Sequence, residues 1–214
     1  MAGLFKWGGR KAEEGTPAPS ASAPEPVISS KVLPKFLSAL SSVPSPVLLN
    51  LGPVIGQNIS FFGEQLSCKI FVEDLYADIE SFAQRGTTEG LSEALESRLA
   101  HGPASVDAIL CWDLFDYLDK KTGQRIAARI VEMVRPGGVV YGFFGMKTEP
   151  IDFYSRFMVD SRSSLRVKQV PGTKRTRNVL VNRDINKMFE GLLVAESVLL
   201  KSATRETLFR KPGP

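Results

Sequence analysis

The run Pro46 to Gly56, PVLLNLGPVIG, constrains the fold more than any other stretch of the chain. Val47 to Leu51 is apolar but for Asn50, the pattern of a strand buried on both faces. Such strands belong to parallel sheets covered by helices rather than to half-exposed ones. Gly52, Pro53 and Gly56 then break the strand into a turn, where glycine permits close backbone approach and proline stiffens the bend. A buried strand feeding a glycine turn is the opening of an open α/β sheet, whose ligands sit beyond the carboxyl ends of the strands.

The 214 residues suffice for one core plus tails, and 43% hydrophobic with 23% charged residues is ordinary for a globular chain. No apolar run approaches the ~18 residues of a membrane span, so no integral membrane segment is expected. Residues 8 to 30, GGRKAEEGTPAPSASAPEPVISS, lack aromatics and are rich in Gly, Pro, Ala and Ser. Such a composition cannot offset the entropy of ordering, so residues 1–30 read as a disordered leader and residues 31–214 as the folded domain. Leu4, Phe5 and Trp7 beside Lys6 and Arg10 read as a frayed end, with neither a secretory h-region nor a cleavage site, and the expected location is cytoplasmic. Cys68 and Cys111 lie in apolar strand-like runs and read as core thiols. With His101 the single histidine, zinc or iron chemistry is not expected. The net charge of +4 is compatible with an acidic partner but does not require one.

Further along, Val32, Leu33, Phe36, Leu37 and Leu40 recur at helical spacing, with Pro34 tolerated in a first turn. Cys68 to Val72 reads as a second strand, reached through a weak crossover helix over Asn58 to Leu66. Leu91, Leu95 and Leu99 mark a helix face, and no third strand is evident between Glu73 and His101. Val106 to Trp112, a helix over Tyr117 to Val134, a stop at Arg135-Pro136-Gly137-Gly138 and a strand over Val139 to Phe144 follow. Eight of the nine charged residues between Ser161 and Lys187 are basic. A short helix begins at Asn182 or Asp184, and Leu192 to Leu200 with Glu206 to Arg210 reads as a closing antiparallel hairpin.

In this order the pieces VDAILCWDLFDYL, MVRPGGVVYGFF and FEGLLVAESVLL resemble the class I S-adenosylmethionine-dependent methyltransferases, over roughly Val43 to Arg210. The resemblance implies an α/β fold with a Rossmann-like, doubly wound, mostly parallel sheet and a C-terminal antiparallel hairpin. It also implies S-adenosylmethionine as cofactor and an unidentified methyl acceptor. Carried over by position, Gly52 and Gly56 would meet the amino-acid end of the donor, with Asn50 in place of the family's acid and Val54 in place of a third glycine. Glu73 at the end of strand two would accept from the ribose hydroxyls, with Asp74 the adjacent alternative, since a carboxylate takes both protons at once. Trp112 would wall the site, and Asp113 would orient or deprotonate the nucleophile.

Other roles for the same residues stay open. The glycines also suit a plain strand-to-helix turn, Glu73 and Asp74 a solvated strand end or cap, and Asp113 to Asp116 a helix N-terminus. Methyl transfer to a good nucleophile needs chiefly positioning and a dry pocket, so the acceptor is not legible from one base. Nothing like Asn-Pro-Pro-Tyr follows Cys111, which argues against amino-methylation of nucleic acid. The basic run Gly172 to Arg183 lacks the interleaved aromatics of a nucleic-acid surface and reads as a solvated loop able to steer an acidic substrate. A Gly-x-Gly-x-x-Gly dinucleotide site would need glycine at Val54 and Gln57. Two functions remain: a methyltransferase, or a methyltransferase-like binding or scaffold module that has lost catalysis.

Overall fold

The computed structural model describes residues 25–213. The central sheet has six strands in the order β3-β2-β4-β5-β9-β8. Its first four, β3 (Lys69–Val72), β2 (Val47–Asn50), β4 (Val106–Trp112) and β5 (Val134–Gly145), are mutually parallel. The closing hairpin β8 (Leu193–Leu199) and β9 (Thr204–Arg210) is added antiparallel to β5.

Alternate residues of each strand feed opposite cores, as a doubly wound sheet requires. Leu48, Ala108, Leu110, Tyr141 and Leu208 pack against α1 (Leu33–Ser41), whose Leu33, Phe36, Leu37 and Leu40 are buried. Leu49, Ile109, Cys111, Val140 and Phe209 face α3 (Leu75–Gln84), α4 (Leu91–Arg98), α5 (Lys120–Met133) and α6 (Asn182–Met188). No strand lies between β3 and β4 in sequence, as the pattern implied. The crossover after β2 is α2 (Gly56–Ser60) continued by a π-helical turn over Phe61–Gln65, which turns Phe61 and Phe62 into the core.

Three expectations change. First, the supposed leader reaches into the domain. Val27–Ser29 forms strand β1, antiparallel to β7 (Ser164–Thr176), and the buried Ser30 accepts from Leu33 N (2.7 Å) and donates to Glu206. Residues 1–24 lie outside the described part. Second, α5 begins at Lys120 rather than Tyr117, because Asp119 caps it by accepting from Lys121 N and Thr122 N, while Leu114–Tyr117 forms a separate 3-10 turn. At its far end Gly137, at φ +79°, lets the chain loop out before the register resumes at Val139 opposite Ala108. Third, the region after Lys147 is a long antiparallel hairpin, β6 (Pro150–Ser161) with β7, which joins β1 in a second sheet ordered β1-β7-β6. This hairpin lies across the carboxyl ends of β2 and β4, and the site is decided there.

Candidate functional site

Asn50 ends β2, Glu73 follows β3 and Trp112 ends β4, so the parallel register brings all three to one rim: Asn50 lies opposite both Val72 and Leu110. Gly52 follows in the turn, and Gly56 opens α2 with no atom within 4 Å of where a Cβ would stand. This is the crevice the glycine run pointed to. Its end at Gly52 and Asn50 is filled by the protein, while a cavity of about 230 Å³ opens beside Pro53, Asp74 and Tyr76.

Trp112 adopts φ +51°, a left-handed conformation that bulky residues rarely hold. Its indole is thereby turned onto Gly52, where a Cβ would come 2.7 Å from Trp112 Cδ1. The indole Nε1 donates to Asn50 Oδ1 at 2.6 Å, and Asn50 Nδ2 donates to Gly52 O at 3.0 Å. The amide of Asn50 is thus committed at both ends. On the other face of the indole lies Phe157 of β6, stacked at 5.2 Å and 3°, and Phe157 stacks in turn on Phe143 at 4.8 Å.

The hairpin is held down by polar anchors on both flanks. Asn58 Nδ2 donates to Phe157 O and Asn58 Oδ1 accepts from Val159 N, both at 2.8 Å, which satisfies the free edge of β6. On the other flank Glu80 of α3 accepts from Tyr154 Oη (2.7 Å), Thr173 Oγ1 (2.7 Å) and Arg175 Nη2 (2.7 Å). Burial pushes the Glu80 carboxyl up, but the donors from Thr173 and Tyr154 outweigh it and bring the pKa to about 2.

The remaining predicted residues separate. Glu73 is partly exposed and accepts from Arg98 Nε at 3.2 Å, while Asp74 caps α3 by accepting from Tyr76 N at 3.2 Å. Asp113 makes no helix cap, contrary to one reading of its sequence. It is buried and accepts from Tyr76 Oη (2.8 Å) and Tyr117 Oη (3.0 Å). Burial nevertheless raises its pKa and that of both phenols. Asp116 accepts from Gly145 N at 2.8 Å and pairs with Arg177 Nε at 3.3 Å, yet burial, then the charge of Asp113, pushes it up to about 8. A cavity of about 240 Å³ lined by Asp113, Asp116, Ser155, Gln169 and Arg177 adjoins this pair.

The basic run is not a solvated loop. Gly172 to Thr176 completes β7, and the Arg175 and Arg177 side chains are only 15% and 13% exposed, paired with Glu80 and with Asp116 and Glu149. The anchors Asn58, Glu80, Tyr154 and Phe157 escape a reading that looks for reactive groups at strand ends. Tyr76 and Glu80, four apart on α3, carried the available signal of a polar face directed inward.

Both cysteines are free, with Cys111 buried and its thiol pushed up by burial and Cys68 raised to about 11 by burial and then by Asp107. Among the described residues no cluster of three metal-ligating side chains occurs, and no helix is long and apolar enough to cross a membrane.

No protein-family model and no curated protein matches the chain. Solved structures do. An S-adenosylmethionine-dependent methyltransferase from Clostridium acetobutylicum superposes with a TM-score of 0.51 at 13% identity, covering 87% of this chain and 93% of that one. A protein from Pyrococcus horikoshii gives 0.51 at 12% identity, covering 84% and 86%. At such identities the likeness speaks to architecture, and the chain has the Rossmann-like fold of the S-adenosylmethionine-dependent methyltransferases.

Proposed function

We propose that this chain is a methyltransferase-fold protein that does not transfer methyl groups and serves instead as a binding module. The observation that carries the reading is Trp112. In this fold the ligand implied is S-adenosylmethionine, whose amino-acid end would lie against Gly52 and Asn50. That space holds the Trp112 indole, 2.6 Å from Asn50 Oδ1 and backed by Phe157. The residues therefore do not fit the donor as arranged, and the incomplete glycine run, with Asn50 and Val54 where an acid and a glycine would stand, agrees with them. No step through the donor is derived. Asp113 reads here as a buried structural carboxyl clamped by two tyrosines rather than as a base.

A second reading is favoured by Glu73, which stands at the rim of β3 with only Arg98 on it: a methyltransferase whose crevice opens when Trp112 and the β6–β7 hairpin withdraw. Its acceptor would be a small or acidic molecule, without nucleic acid.

Calorimetric titration with S-adenosylmethionine and S-adenosylhomocysteine separates the two. The first reading expects no saturable heat up to about 1 mM ligand from folded protein. Trp112→Gly, which relieves the left-handed backbone and vacates the crevice, is expected to gain binding. Saturable binding by the unaltered chain overturns the proposal in favour of the second reading. In that case Glu73→Ala should weaken it by about 1–3 kcal/mol through lost charged hydrogen bonds.

A further inference from the structure

Away from the filled crevice the molecule has a larger hollow. A cavity of about 580 Å³ lies between the C-terminal half of α3, the Gly86–Thr88 turn, the start of α5 and the end of β7. Its volume falls in the range of small-molecule sites. One side is apolar, made by Ile79, Phe82, Ala83, Leu91 and Leu118, and the other carries Lys120, Lys174, Arg175 and Arg177. Asp119 is the one carboxylate among the lining residues, and three of the four cations have carboxylate partners behind the wall, which leaves the positive charge of the rim on Lys174. Asp119 is itself spent on capping α5 through Lys121 N, Thr122 N and Thr122 Oγ1.

The cations are not equivalent. Arg175 and Arg177 are held in place by Glu80, Asp116 and Glu149, and Lys120 pairs with Asp184 at 3.2 Å. Lys174 is exposed and has no carboxylate within 4.0 Å among the described residues. A pocket with a greasy wall, fixed arginines and one uncommitted lysine at its lip matches a ligand with an apolar body and an acid group.

We infer that this cavity is a binding site for a small amphipathic organic anion, an aromatic or aliphatic body bearing a carboxylate, sulfonate or phosphate. The anion pairs with Lys174 at the rim while the body displaces water from Ile79, Phe82 and Leu118. The site is separate from the Trp112 crevice, so its test stands or falls without reference to donor binding.

The probe is anilinonaphthalene sulfonate, followed by fluorescence on the 214-residue chain, with the uncharged phenylnaphthylamine as control and circular dichroism to establish folding. One saturable site is expected, with the neutral analogue binding at least tenfold more weakly. Lys174→Glu should weaken the sulfonate at least fivefold, and added salt should weaken it further by screening. Ala83→Phe, which fills the apolar end, should abolish binding with the fold intact. Absence of saturable fluorescence, equal binding of the neutral analogue, or wild-type affinity in Lys174→Glu overturns the inference. If Ala83→Phe does not fold, the Lys174→Glu result decides.

Discussion

Burial pushes two carboxyls of this protein the same way, and their hydrogen-bond donors send them to opposite ends of the scale. Glu80 is surrounded by donors and held at about 2, so its contribution to stability is full above its unfolded value of 4.5 and is lost as pH falls toward 2. Asp116 is raised from 3.8 to about 8, so its contribution is full below 3.8 and is lost as pH rises through 8. Asp116→Asn is therefore expected to flatten the decline in stability between those limits, measured as urea midpoint against pH. An unchanged slope would show that the group ionises normally in the folded state. Glu80→Ala should cost about 1–3 kcal/mol, since it strands the Tyr154 hydroxyl and Thr173 N–H on a partly buried flank. Neither titration was legible in the sequence, where Asp116 reads as an acid at a helix N-terminus and Glu80 as one residue of a short helical turn. Desolvation depends on which segments fold over a residue, and local pattern does not carry that.

Among the elements, the strands of the parallel sheet were legible and the β6–β7 hairpin was not. The reason lies in its residues. Phe157 and Val159 alternate before Ser161, and Leu165 and Val167 alternate after it, with Arg162-Ser163 between them as a two-residue turn. Arg156, Arg166 and Lys168 occupy the outward positions and Arg162 the turn, so charge interrupts the apolar alternation along the whole stretch. Its attachment rests on few groups. Asn58→Ala should leave Phe157 O and Val159 N unsatisfied at a buried edge, costing about 2–4 kcal/mol, with faster hydrogen exchange at Val159 as the specific sign. Exchange confined to the α2 amides would argue against that anchor.

At the scale of the whole molecule, the glycine run lies at the carboxyl ends of the parallel strands, and its residues do not tell what packs against them. Gly52 is required in either case, because something approaches it closely, and sequence cannot distinguish a ligand from a tryptophan arriving from a strand 60 residues away. The N-terminal boundary shows the same limit. Val27–Ser29 has too few residues to register as a strand, yet it covers the β7 edge and leads to Ser30, whose hydroxyl reaches the wholly buried Glu206. A chain beginning at Lys31 is expected to lose about 2–4 kcal/mol of stability through the bared edge and the loss of one of the two hydroxyls that donate to Glu206, Tyr141 Oη remaining, read from thermal or urea unfolding. Equal stability would place the domain border after Ser30 once more.

The indole between Gly52 and Phe157 also makes the protein its own optical gauge. The sequence has two tryptophans, Trp7 and Trp112. With Trp7 replaced by phenylalanine, emission would come from a ring shielded from water and bonded to a single amide, and its colour would report whether the crevice is shut. A lid that opens, even rarely, would let acrylamide or iodide quench that light. The same ring that closes the crevice would time its opening, before any ligand is found to fill it.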